Sequence, residues 1–280
     1  MTERHPHIVI EKRKRGAAFN FRELINYKDL LYFMILRDFT VVYKQSVLGL
    51  TWAFINPIFS ILVFSIVFGR LAGVPSDGIP YPIFSCAGIL PWTYFANTIN
   101  ASGSSLVNSS GVFTKVYFPR LIIPIVPVLT KLVDFAISFV LLIGMMVYYK
   151  CYPSLDLFAI PLFILIMVVA SAGLGAWLSS LAIQYRDVKF GLSFAVPLLM
   201  YAAPVVFPAS LILEKFGEGA YLVYGLYPMV GVIEGFRSAI IPAKEIPWSL
   251  VGMSAVGAIL LLVIGLRVFK NLESRFADVA

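Results

Sequence analysis

From Lys44 to Arg70 the chain runs through 25 residues without a charge. A helix needs about 20 mostly apolar residues to cross a hydrocarbon core, so residues 47–68 are predicted as a first membrane span. The next uncharged stretch, from Gly78 to Thr114, holds 37 residues and is too long for one helix. Its first part, 81–106, fits a second span, and the polar run at 107–111 (Val-Asn-Ser-Ser-Gly) reads as a loop. The same pattern predicts spans over 121–149, 157–183, 190–213 and 246–266.

The stretch at 221–241 fits less easily. Only about 15 uncharged residues separate Glu218 from Glu234, and Pro228 and Gly231 interrupt them. A crossing here would also carry Glu234 and Arg237 to membrane depth and give seven spans, with the termini on opposite sides. A helical hairpin over about 214–245, entering and leaving on the outer side, avoids both problems, because irregular backbone is tolerated where protein surrounds it. Ahead of the first span, Asn20 and Glu23 resemble a capping box. Leu24, Ile25, Leu31, Ile35 and Val42 can share one face, opposite Arg22, Asn26 and Asp29, so 20–46 is predicted to lie in the membrane interface. The fold expected is therefore all-α and integral to the membrane. A basic tail (1–19) and the interfacial helix precede a six-span domain (47–270), and a short tail (271–280) follows.

Composition turns this pattern into a statement about solvent. Hydrophobic residues make up 60% of the 280 and charged residues 13%, with a mean hydropathy of +0.88. Soluble domains are about 25% charged, so an ordinary water-soluble fold is excluded. Lys12 to Arg15 is not followed by the apolar core of a secretory signal and reads as a tail held in the cytoplasm. The net charge of +7 is topological rather than a mark of nucleic-acid binding. Nine Lys/Arg precede Gln45, and Arg267, Lys270 and Arg275 close the chain. With both termini inside, 16 Lys/Arg are cytoplasmic and five are outside: Arg70, Lys150, Lys215, Arg237 and Lys244. Cys86 and Cys151 give neither metal spacing nor a disulfide framework.

No Gly-x-x-x-x-Gly-Lys-Ser/Thr loop, His-Glu-x-x-His helix or Gly-x-Ser-x-Gly elbow occurs, so the chain carries no recognisable ATP, zinc or nucleophile site. Lys131 and Asp134, and again Glu234 and Arg237, lie three apart, where one helical face can hold an ion pair. Ala172, Ala176 and Ser180 form a small-residue row suited to close helix packing within the subunit.

Particular residues extend the reading. Arg37-Asp38, Tyr43-Lys44-Gln45-Ser46-Val47-Leu48-Gly49 and Trp52 ahead of Asn56-Pro57 form an opening signature. Tyr117-Phe118-Pro119-Arg120, Tyr185-Arg186-Asp187-Val188, Pro228 through Glu234-Gly235-Phe236-Arg237, and Phe269 to Val279 continue it. In that order the pieces resemble the polysaccharide-export ABC transporter permeases, which move O-antigens, teichoic acids and related lipid-linked glycans. Val42 and Tyr227 depart from the usual pattern, which more often has a basic residue and Asn there.

The resemblance implies a non-enzymatic transport subunit of the bacterial inner (plasma) membrane. It would work as a homodimer with two separate ATPase subunits and bind no cofactor itself, ATP and Mg belonging to the partner. Lys115, Tyr117, Phe118, Pro119 and Arg120, with Arg186 and Asp187, are the expected ATPase-coupling residues, as aromatic anchors mixed with charge suit a partner groove. A plain interfacial belt is the alternative. Arg37, Asp38, Tyr43 and Lys44 are expected where a lipid diphosphate would approach, against simple snorkelling. Trp52, Trp92, Tyr94, Phe95, Tyr201 and Tyr224 offer flat faces to a sliding glycan, or pack as ordinary interfacial aromatics. Glu234 and Arg237 are expected to gate the path or position the outer hairpin. The rival readings are an exporter of a drug or lipo-oligosaccharide and an ion-coupled transporter, which lacks buried carboxylates for a relay. A membrane glycosyltransferase is the third, and no Asp-x-Asp pair supports it.

Overall fold

The structure is a computed structural model that describes residues 21–44, 49–109, 111, 117–151, 155–241, 245–274 and 276. Among these every regular element is helical. In chain order they are α1 (Phe21–Asn26), α2 (Lys28–Lys44), α3 (Trp52–Phe64, continued by a wider π-helical stretch, Ser65–Leu71) and α4 (Tyr81–Asn108). Then come α5 (Ile122–Tyr148), α6 (Ile160–Ala182), α7 (Asp187–Ala202), α8 (Ser210–Gly225), α9 (Pro228–Ile240) and α10 (Trp248–Glu273).

Among the described residues, four stretches are long and apolar enough to cross a membrane: Trp52–Leu71, Ile122–Tyr148, Asp156–Ala182 and Trp248–Glu273. Helix α4 has 28 residues and so reaches about 42 Å, but it is more polar. Its position explains that composition. It packs against α3, α5, α6, α7 and α9, and 19 of its residues are buried, so its serines and threonines face protein rather than lipid.

The α6–α10 pair is held by close approach of two backbones. A Cβ on Gly265 would sit 2.0 Å from the Gly173 carbonyl oxygen, so both positions exclude any side chain. The small-residue row read from the sequence lies on the same helix, with Ala176 and Ser180 buried, but the contact itself runs through Gly173.

The expected helix over 190–213 is corrected. Helix α7 ends at Ala202, Ala203 is extended (φ −87°, ψ 152°), and α8 begins at Ser210. Ala203 and Phe207 each precede a proline, Pro204 and Pro208, which pushes them out of the α region and removes two donors. After this break the chain makes a helix–turn–helix, with α8 largely exposed and all 13 residues of α9 buried.

The N-terminal helix is likewise two pieces, interrupted at Tyr27. Leu24, Tyr27, Leu30, Leu31, Met34 and Ile35 pack on a cluster that includes Phe118, Leu121, Ile122, Ile183, Phe269 and Phe276. This cluster brings α1, α2, the residues around 118, the end of α6 and the end of α10 to one end of the bundle. Ile25, expected on that buried face, is exposed instead, as are Tyr32, Phe33, Leu36 and Val41. The exposed side of α2 is therefore mixed, with Lys28, Asp29, Arg37 and Lys44 beside Tyr32, Phe33, Leu36 and Val41, which suits an element at a membrane surface.

Candidate functional site

Three contiguous depressions form a furrow between α2, α4 and α5 that is mainly polar in its first part and mainly apolar in the rest. The first, about 470 Å³, is lined by Arg37, Asp38, Ser104, Ser105, Asn108, Ser109 and apolar neighbours. The second, about 450 Å³, shares Arg37, Asp38, Ala101 and Pro127 and adds Thr130 and Lys131. The third is a narrow cleft lined by Thr93, Asn97, Lys131, Asp134 and Ser138. On α4 the residues Asn97, Ala101, Ser104 and Asn108 recur at spacings of four, three and four, so one small, polar stripe faces the furrow. That stripe was missed in the sequence reading. The signal was its helical period within a span.

The furrow's charges come in pairs. Arg37 donates through Nε and Nη2 to Asp38 Oδ1 at 3.0 and 2.8 Å. Lys131 Nζ donates to Asp134 Oδ2 at 2.7 Å, the pairing expected from their spacing. The other Asp134 oxygen accepts the Tyr43 hydroxyl. Burial first, then this carboxylate, raises the Tyr43 phenol above its ordinary value and keeps it a donor. One turn on, Ser138 Oγ donates to the Ala53 carbonyl at 3.1 Å. The middle of α5 therefore fastens both the end of α2 and the beginning of α3. Tyr43 belongs to this clasp, whereas Lys44 is exposed.

At the same end of the bundle, the residues expected to meet an ATPase divide into two groups. Lys115 lies outside the described residues. Tyr117 is 78% exposed, and Arg186 and Asp187 stand exposed at the beginning of α7. Phe118 is buried in the end cluster, and Pro119 is partly buried beside it. Arg120 Nη1 donates to the Glu273 carbonyl at 2.7 Å, with its guanidinium 5.9 Å from the centre of the Phe276 ring. A cation on the last carbonyls of α10 is a C-terminal cap. Phe118 and Arg120 thus face inward, while Tyr117, Arg186, Asp187 and the neighbouring Tyr185 face out.

The six aromatics separate in the same way. Trp92, Tyr94 and Phe95 are buried in the α4 core, and Tyr94 donates to the Val128 carbonyl at 2.9 Å. Trp52 and Tyr201 are exposed, and Tyr224 is half-buried with its hydroxyl on the Ala202 carbonyl.

Glu234 and Arg237 form a buried ion pair, 2% and 0% exposed. Arg237 Nη1 donates to Glu234 Oε1 at 2.9 Å and to the Phe207 carbonyl at 3.3 Å, and Nη2 donates to the Val205 carbonyl at 2.7 Å. Nε reaches the Phe84 carbonyl at 3.4 Å, and the guanidinium lies 3.6 Å from the centre of the Phe84 ring. Glu234 Oε1 also accepts the Ala209 N–H at 3.1 Å. The proline break at 203–209 frees backbone groups from helix bonding, and this pair satisfies several of them.

Helical throughout its described residues, with four apolar helices of membrane length and a furrow beside one of them, the chain has the architecture of an integral membrane protein. The chain belongs to the ABC-2 type transporter family, which it matches over residues 29–241. It is 28% identical over 260 residues to the O-antigen export system permease protein RfbA of Myxococcus xanthus, covering 92% of this chain and 97% of that one. Identity to an RfbA of Klebsiella pneumoniae is 26% over 252 residues, 90% of this chain and 95% of that protein. The polysialic acid transport protein KpsM of Escherichia coli is 21% identical over 245 residues, 86% and 92% of the two chains. This chain is accordingly the permease subunit of an ABC exporter, which sets aside the ion-coupled and glycosyltransferase alternatives.

Proposed function

We propose that the chain exports a lipid-linked polysaccharide, with two copies forming the path and two separate ATPase subunits docking on the cytoplasmic end. The observation that carries this reading is the likeness to polysaccharide permeases along nearly their whole length. The geometry supports it at three places. Arg37 stands at the mouth of the furrow, where a guanidinium can meet a lipid diphosphate. Small hydroxyls and amides along α4 give that furrow a wettable wall. Tyr117, Tyr185, Arg186 and Asp187 offer an exposed aromatic and charged rim to an ATPase at the end where α2 lies.

The topology we favour has six crossings, by α3, α4, α5, α6, α7 and α10, with α8 and α9 as a hairpin entering from outside. The lysine and arginine distribution supports placing both termini in the cytoplasm of the bacterial inner membrane. The pair Glu234–Arg237 makes the hairpin tenable at depth, because its charges and the broken backbone satisfy one another. Copurification tests the assembly: the tagged chain should bring down an ABC ATPase at one ATPase subunit per permease. Arg186→Glu with Tyr117→Ala should release it without loss of the permease from the membrane. A permease that exports glycan with no ATPase bound contradicts the proposal.

A further inference from the structure

At the opposite end of α3 from the furrow, α3, the beginning of α4 and the end of α5 form an open groove of about 760 Å³. Its walls are apolar, with Ile58, Leu62 and Ile66 on one side and Leu141 and Met145 on the other. Four residues with polar groups interrupt them: Ser65 and Tyr81, whose hydroxyls donate to the Ile61 and Val206 carbonyls, and Tyr149 and Arg70, of which Arg70 carries the charge. Arg70 is exposed and makes no ion pair or hydrogen bond among the described residues, and the exposed Lys150 follows Tyr149 in the chain. The backbone is also unusual there. Ser65–Leu71 is π-helical, with the Ala72 N–H bonded to the Val67 carbonyl at 2.9 Å, and such wide turns concentrate at functional sites. Gly69 lets the Tyr81 ring close the groove's inner wall, since a Cβ there would lie 2.8 Å from that ring.

We propose that this groove holds one acyl chain of an anionic phospholipid, from the leaflet nearer residue 70, with its phosphate on Arg70. Length matches this occupant. From Ile58 to Arg70 is 12 residues, roughly 18 Å of helix. One leaflet of hydrocarbon is roughly 15 Å deep. A membrane-crossing helix needs twice that depth. Charge matches it too, because a phosphate supplies the counter-ion that the guanidinium does not find among the described residues. A second copy seated in the groove would instead enclose Arg70 in an apolar interface without a partner. The proposal rests on α3 lying in a bilayer and is independent of which substrate is exported.

The test uses the full-length chain in nanodiscs of phosphatidylcholine alone or mixed with phosphatidylglycerol. Native mass spectrometry reads lipid retained after detergent extraction, and thermal unfolding is followed in parallel. Wild type is expected to retain phosphatidylglycerol over phosphatidylcholine, and Arg70→Gln to lose that preference by about tenfold. Met145→Trp, which narrows the groove, should lower retention of both lipids. Leu62→Trp, at a position 51% exposed, repeats that test with little disturbance of folding. An unchanged preference in Arg70→Gln, or unchanged retention in both tryptophan variants, overturns the proposal. Efficient disulfide cross-linking of Leu62→Cys between two copies also overturns it, by assigning the groove to a second protomer. Because transport is not the readout, failure of polysaccharide export would leave these results interpretable.

Discussion

Arg237→Met removes a guanidinium that is wholly buried and keeps a side chain of similar length. The loss would strip Glu234, itself 2% exposed, of its cation, and would take a donor from the carbonyls of Phe84, Val205 and Phe207. Breaking a buried pair by removing one partner costs about 3–5 kcal/mol, because the remaining charge cannot be resolvated. The lost carbonyl bonds and the contact with the Phe84 ring fall largely within that figure, since terms in one network do not add. At roughly 2–4 °C per kcal/mol for a chain of this size, the unfolding midpoint should drop by about 10 °C. Fluorescence-detected size exclusion after heating, in one detergent, reads the shift. The double variant Glu234→Met/Arg237→Met separates charge from packing. With neither charge left, it should recover a large part of the loss, a coupling of at least about 1.5 kcal/mol. A midpoint unchanged in Arg237→Met would refute the reasoning, and so would strictly additive losses in the double variant.

Other expectations follow from the same contacts. Asp134→Asn should loosen the clasp between Tyr43, Lys131 and α5, lowering ATP-driven export several-fold at unchanged membrane abundance, as an inverted-vesicle assay would report. Gly265→Leu should prevent the permease from accumulating at all, because its Cβ would fall 2.0 Å from the Gly173 oxygen; whole-membrane immunoblots test this. Arg120→Gln should destabilise the end of α10 by about 1–2 kcal/mol through the lost cap on Glu273, read as a lower unfolding midpoint with ATPase binding retained.

What the sequence reveals here depends on how local the determinant is. The helices α3, α5, α6 and α10 are legible because lipid demands an uninterrupted apolar run, and little else produces one. The pairs Lys131–Asp134 and Glu234–Arg237 are legible for a similar reason, since three residues on a helix bring two side chains together. The bend after Ala202 is written in Pro204 and Pro208 but is masked by the apolar run around them. Contacts between distant segments leave no such trace. Tyr43 meets Asp134 across 91 residues and Arg120 meets Glu273 across 153, so two residues with charge or hydroxyl chemistry at the expected surfaces turn out to hold helices together. Trp92 and Phe95 illustrate the same limit: an aromatic in a span reads alike whether it meets lipid, a passage or the helix beside it.

The central claim is that this permease moves lipid-linked polysaccharide with energy supplied by a partner ATPase. Its most direct test is uptake of a lipid-linked glycan by inverted vesicles containing the copurified complex. Uptake should require ATP, stop when the ATPase is inactivated, and fall with Arg37→Gln. Uptake driven by a proton gradient with no ATPase present would contradict the claim, and ATP-dependent uptake indifferent to Arg37 would remove the headgroup role given to that residue.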